Sequence, residues 1–124
     1  MTDEDILQLQ SFRRLKSLVL GENKIGDAGI RVMTDCLPAL TKLQLNTNQF
    51  TAAALANMSN LRELRVLDLR NNKLGDECLK YLAGVGSLQE LSISKNGITD
   101  AGITYLAQLG NLFYLDLTTN QVSD

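Results

Sequence analysis

The sequence predicts an α/β fold: a solenoid shaped as a short right-handed horseshoe, with a parallel sheet on the concave side and helices on the convex side. Three observations predict it. One eleven-residue pattern recurs five times at nearly constant spacing. Each copy carries a short apolar alternation, and each of the first four is followed by apolar residues at helical spacing. A single such unit cannot bury its own leucines, so the units must stack on one another.

The chain opens with the helical half of a unit, since Asp3, Ile6, Leu9 and Phe12 align with Asp100, Ile103, Leu106 and Leu109. Residues 1–14 are therefore expected to form a helical N-terminal cap, whose acidic start (Asp3, Glu4, Asp5) suits the helix dipole. Residues 1–124 read as a single domain of five helix–strand units. The pattern begins at Leu15, Leu40, Leu64, Leu88 and Leu112, spacings of 25, 24, 24 and 24 residues. The one extra residue falls beside Pro38, the only proline, where a helix should end.

Within each copy the alternation, as in Leu18-Val-Leu20 or Leu67-Asp-Leu69, makes a short strand with its leucines on one face. The ninth position is always asparagine: Asn23, Asn48, Asn72, Asn96 and Asn120. An amide both donates and accepts, so these side chains are expected to stack as a buried ladder that serves the backbone of the following loop. Helical spacing follows in Ile30, Met33, Leu37; Leu55, Met58, Leu61; Leu79, Leu82, Val85; and Ile103, Leu106, Leu109. Asp27, Asp76 and Asp100 precede these runs and read as N-caps, each contributing ~1 kcal/mol. Asp124 falls in the slot of Asp100. Leu112, Leu115, Leu117 and Val122 then lack a following unit, which predicts an exposed apolar end, and with it either a shortened chain or a partner that covers it.

The pattern L-x-x-L-x-L-x-x-N-x-I followed by a helix resembles the leucine-rich repeat family over nearly the whole chain. The tails Gly26-Asp-Ala-Gly-Ile30 and Thr99-Asp-Ala-Gly-Ile103 are most similar to the ribonuclease-inhibitor-like subclass. The 24-residue length is similar to repeats of bacterial effector proteins, and departs from the longer alternating repeats of the inhibitor. The resemblance implies that the concave strand face binds a partner.

Composition narrows the function. The 124 residues are 44% hydrophobic and 21% charged, as in an ordinary globular domain. No apolar run approaches the ~20 residues that cross a bilayer, and the acidic start is not a secretory signal. A net charge of −2 argues against a nucleic-acid binder that relies on basicity. There is no histidine, which excludes a Ser-His-Asp triad, a Cys-His dyad and a His-ligated zinc site. Cys78 occupies a slot held elsewhere by Gly29, Ala54 and Gly102, a packing position. With Cys36 it reads as a reduced thiol of a cytosolic protein. The aspartates lack the spacing of a calcium loop, and the glycines form no phosphate-binding loop. The expectation is a non-enzyme with no cofactor, no metal ligands and no catalytic residues.

The candidate partner-binding residues are those pointing outward from the strands, Lys42, Gln44, Asn46, Val66, Asp68, Arg70, Glu90, Ser92, Tyr114 and Asp116, with Phe113 near the start of the last strand. Their charges nearly cancel, which suits a polypeptide rather than a phosphate backbone. Phe113 and Tyr114 are aromatic anchors of the kind enriched in binding hot spots, or else pack on a further repeat. The expected function is a protein-binding module in the cytoplasm, or in a host cytosol if it is a secreted bacterial effector. Its partner is another protein, an enzyme if the module inhibits by covering an active site, with neither nucleic acid nor membrane involved. The alternative is a substrate-recognition segment of a larger adaptor or ubiquitin-ligase-type protein.

Overall fold

A computed structural model describes residues 1–123. Asp124, and with it the expected role of that residue, lies outside the described residues. Five three-residue strands, β1 (Ser17–Val19), β2 (Lys42–Gln44), β3 (Val66–Asp68), β4 (Glu90–Ser92) and β5 (Tyr114–Asp116), form one open sheet in chain order. Every pairing is parallel and in strict register, Leu18, Leu43, Leu67, Leu91 and Leu115 standing side by side. Between the strands run α1 (Asp3–Leu7), α2 (Asp27–Cys36), a 3₁₀ segment (Ala52–Asn60), α3 (Glu77–Leu82) and α4 (Asp100–Leu106). This is an α/β leucine-rich solenoid. Its core lies between the layers and is built from the pattern leucines, Ile25, Ile93 and Ile98, and the inner faces of the helices.

The predicted second helix is instead a 3₁₀ helix. Its apolar residues Ala52, Leu55, Met58 and Leu61 fall every three positions and are all buried. A winding of three residues per turn keeps all four on one face, whereas 3.6 would fan them out. In α2 the buried set Gly29, Ile30, Met33 and Thr34 has the mixed three-and-four spacing of an α-helix. As the proline predicts, α2 stops at Cys36. Within residues 1–14, α1 fills only Asp3–Leu7 and turns follow.

The asparagine ladder is present. Asn72 Nδ2 donates to the carbonyls of Leu45, Leu69 and Arg70, and its Oδ1 accepts the Asn48 N–H. Asn96 repeats this one unit on, accepting from both Asn72 and Leu74. Asn72 and Asn96 are buried; Asn23, Asn48 and Asn120, nearer the ends of the stack, are half-buried.

Of the three aspartates only Asp76 stands at the N-cap position, and none caps through its side chain. Asp27 and Asp100 are already helical, and neither they nor Asp76 makes a side-chain cap bond to its own helix. Each carboxylate reaches instead to the next unit. Asp3 accepts the Gly26 N–H at 2.7 Å. Asp27 accepts the Thr51 N–H at 2.6 Å and its hydroxyl at 2.7 Å. Asp76 does the same for Thr99 at 2.7 and 2.5 Å, and Asp100 accepts both groups of Ser123. These bonds form a second ladder along the helix starts. Ala52 interrupts it, and there Gly75 adopts φ +68° and turns its N–H to the Asn96 carbonyl.

Candidate functional site

The strands present two outward rows. The first is Ser17, Lys42, Val66, Glu90 and Tyr114; the second is Val19, Gln44, Asp68, Ser92 and Asp116. Successive residues of a strand point to opposite faces, so with the leucines inward both rows must face out. Neighbouring strands lie ~4.8 Å apart, so each row runs about 20 Å. Asn46 and Arg70 sit just past β2 and β3, and Phe113 just before β5. The fold thus brings all eleven candidates to one face and its rim. Val19, 61% exposed and in the row of Gln44, belongs to the same surface although the candidate set omits it. Its apolar side chain at an outward strand position was the available signal.

One candidate departs from expectation. Asp68 is not a free contact: it is only 5% exposed. Its Oδ1 accepts the Arg70 Nε at 2.9 Å and the Arg70 backbone N–H at 3.1 Å, and its Oδ2 accepts Nη2 at 2.7 Å. A two-residue offset across the strand end lets the forked guanidinium fold back onto the carboxylate. This is the only ion pair among the described residues. The hydrogen bonds and charge of Asp68 raise the Arg70 pKa further, with smaller contributions from Asp116 and Tyr114. Asp68 therefore positions Arg70, and Arg70, with 47% of its side chain exposed, is the member of the pair open to solvent.

Asp116 makes the same kind of turn. It accepts the Thr118 N–H at 3.0 Å and the Thr118 hydroxyl at 2.7 Å, which hold its carboxyl below the usual range, with help from Arg70. Lys42, Gln44, Asn46, Val66, Glu90 and Ser92 are half-buried. Tyr114 is 52% exposed and Phe113 73%.

Elsewhere the chemistry is sparse. Burial, then the nearby Asp76 charge, pushes the Cys78 thiol up to about 12, far from the thiolate a nucleophile needs. Among the described residues no group of three or more acidic or cysteine side chains gathers to hold a metal ion, and no helix is long and apolar enough to cross a membrane. A hollow of about 600 Å³ opens on the convex side between α2 and the 3₁₀ segment, lined by Val32, Cys36, Ala53 and Ala54.

Two leucine-rich repeat family descriptions match the chain, one over residues 13–74 and one over residues 87–107. The chain belongs to the leucine-rich repeat family. Such domains generally mediate protein–protein interaction and are typically non-catalytic. Among solved structures this leucine-rich repeat chain is similar to an internalin (inlF) from Listeria monocytogenes, with 28% identity and a TM-score of 0.80 over 94% of this chain and 32% of that one. It is also similar to internalin C2 from the same organism, with 32% identity and a TM-score of 0.77 over 94% of this chain and 47% of that one. The chain thus spans about a third to a half of the length of these two. A search of curated proteins found no match.

Proposed function

We propose that this leucine-rich repeat chain is a non-catalytic protein-binding module of the ribonuclease-inhibitor-like type, which holds a partner on its concave strand face. The observation that carries this reading is the outward surface itself: two in-register polar rows with one guanidinium clamped by Asp68 and an exposed Tyr114 two strands away. A fixed guanidinium and an aromatic ring lose little side-chain freedom on binding and are enriched in hot spots. The whole face is about 20 Å long, and a standard interface needs ~800 Å² from each partner. Most of the face must then serve one partner, and such a cover over an active site inhibits an enzyme. The setting is cytoplasmic, with residues 1–14 acting as the cap of the stack.

The test is affinity capture with the chain as bait, followed by titration of the captured partner. Arg70→Ala and Tyr114→Ala should each weaken binding by ~1–2 kcal/mol, roughly a tenfold loss. The urea midpoint should hold for Tyr114→Ala and fall for Arg70→Ala, which leaves the Asp68 carboxylate without its ion-pair partner. Lys80→Ala and Gln108→Ala, on the helix side, should change neither. For an enzyme partner, inhibition should fall in step with affinity. In the alternative reading the same face recruits a substrate to an adaptor or ubiquitin-ligase-type protein, and binding leaves the partner active. Binding that survives both strand-face changes and is lost on altering the helices overturns the proposal.

A further inference from the structure

The net charge of −2 conceals a separation of charge between the two rims of the solenoid. The rim where the helices start carries Asp3, Glu4, Asp27, Asp76 and Asp100, four of them in the carboxylate ladder, against the two lysines Lys24 and Lys73. The opposite rim, where the strands start, carries Arg13, Arg14, Lys16, Lys42, Arg62 and Arg65 within the first three units. The acids beside these six cations are Glu63 and, at the end of α2, Asp35.

The backbone holds this row in place. The Lys16 carbonyl accepts the N–H groups of Thr41 and Lys42 at 2.8 and 3.0 Å, and the Thr41 carbonyl those of Arg65 and Val66 at 2.8 and 3.0 Å. Lys16 and Arg65 are thus two rungs apart, ~10 Å, with Lys42 on the rung between. Arg13 and Arg62 occupy the same turn two units apart, each N–H bonding a carbonyl two residues back at 3.0 Å. All but half-buried Lys42 are exposed, and none of the six takes part in an ion pair. They do not neutralise helix ends either, since α1 and α2 have no basic residue in their last turns. Phe12, 54% exposed, lies beside Arg13. In the fourth unit the row becomes Gln89 and Glu90, and the cationic stretch ends.

We infer that the strand-start rim of the first three units is a docking surface for a short acidic segment of another polypeptide. The surface differs from the strand face proposed above, touching it at Lys42, and neither proposal requires the other. On a peptide in the polyproline II conformation, carboxylates three residues apart share a face and lie ~9 Å apart, close to the spacing of the paired cations. An acidic segment with an apolar residue at one end also finds Phe12. A nucleic acid fits less well. Its charge recurs every ~1.7 Å of duplex and runs on past three rungs, toward Glu90 and the acidic remainder of the chain.

The experiment is a fluorescence-anisotropy titration of the full chain with a labelled oligoglutamate peptide carrying one terminal leucine. A single-stranded oligonucleotide and phosphatidylserine vesicles serve as rival probes. We expect the peptide to bind, and to weaken at least tenfold as salt is raised from about 50 to about 300 mM. The Arg62→Glu/Arg65→Glu variant should lose at least tenfold in affinity at an unchanged urea midpoint, Arg62→Lys/Arg65→Lys should retain most of it, and Lys80→Ala should have no effect. If the glutamate variant proves unstable, Arg13→Ala/Lys16→Ala provides the same reading. The inference is overturned by absent peptide binding at low salt, by binding that both rim variants leave intact, or by tighter binding of the oligonucleotide or the vesicles.

Discussion

Asn72, like its neighbour Asn96, ties adjacent units of the stack together. The Asn72 side-chain amide serves one N–H and three carbonyls across two units, in a largely buried place. Leucine has the volume but no polar atoms, and each orphaned group costs ~1–3 kcal/mol. Asn72→Leu should therefore lower stability by at least ~3 kcal/mol, read from urea midpoints, more than any change on the strand face. The cysteines make a second residue-scale prediction. Cys78 is buried with its thiol pushed up to about 12, while Cys36 is half-buried. An aromatic disulfide reagent should label Cys36 alone in the native protein, and both thiols in denaturant. Rapid native labelling of Cys78 would show that its burial is misread.

The ladder of carboxylates links helix to helix and explains the small residues between them. A Cβ on Gly102 would overlap Asp76 Oδ1, and one on Gly29 would overlap Asp3. Where the preceding unit has Ala52 in place of an aspartate, the slot takes the larger Cys78. Alanine normally favours a helix over glycine by ~1 kcal/mol, yet Gly102→Ala should destabilise here. Asp76→Ala should destabilise too, by orphaning both Thr99 donors. The double change should cost less than the sum of the two, which a double-mutant cycle measures. Acid should act on the same contacts. The Ser123 hydroxyl and N–H hold the Asp100 carboxyl below its ordinary 3.8, and Thr118 does so for Asp116. A carboxyl with a lowered folded-state pKa stabilises above its unfolded value, and that stabilisation is lost as pH falls through the folded one. Urea midpoints should be level from about pH 7 to 5 and fall below about pH 4.

The molecule as a whole is a row of nearest-neighbour contacts in which β5 is the last strand among the described residues. Leu115, whose counterparts Leu43, Leu67 and Leu91 are fully or almost fully buried, is 36% exposed, and Phe113 and Tyr114 stand beside it. In a linear array stability is the sum of unit and interface contributions. Appending one further repeat after Asp124 should bury Leu115 and raise the urea midpoint, with a steeper transition from the larger buried surface. An unchanged midpoint would mean that β5 gains nothing from a neighbour.

Periodicity alone determined the architecture. A pattern repeated five times leaves one way to bury its leucines and one way to satisfy the loop beneath them, so the parallel sheet, its register and the asparagine ladder were all legible. Proline placed the end of α2 for the same local reason. What needed the tertiary structure were the contacts between units, because they join residues about 24 positions apart whose partners no local rule names. Asp27, Asp76 and Asp100 look like caps to their own helices and are held instead by Thr51, Thr99 and Ser123. Ala52, Leu55, Met58 and Leu61 satisfy a helical pattern, and Leu79, Leu82 and Val85 share the same every-third spacing along and just past an α-helix, so the spacing by itself did not announce the 3₁₀ winding. Asp68 counts as an outward strand residue until Arg70 folds over it. The eleven candidate residues could be assigned to a face because side-chain alternation is local. Which of them stays exposed was decided by the side chains beside them.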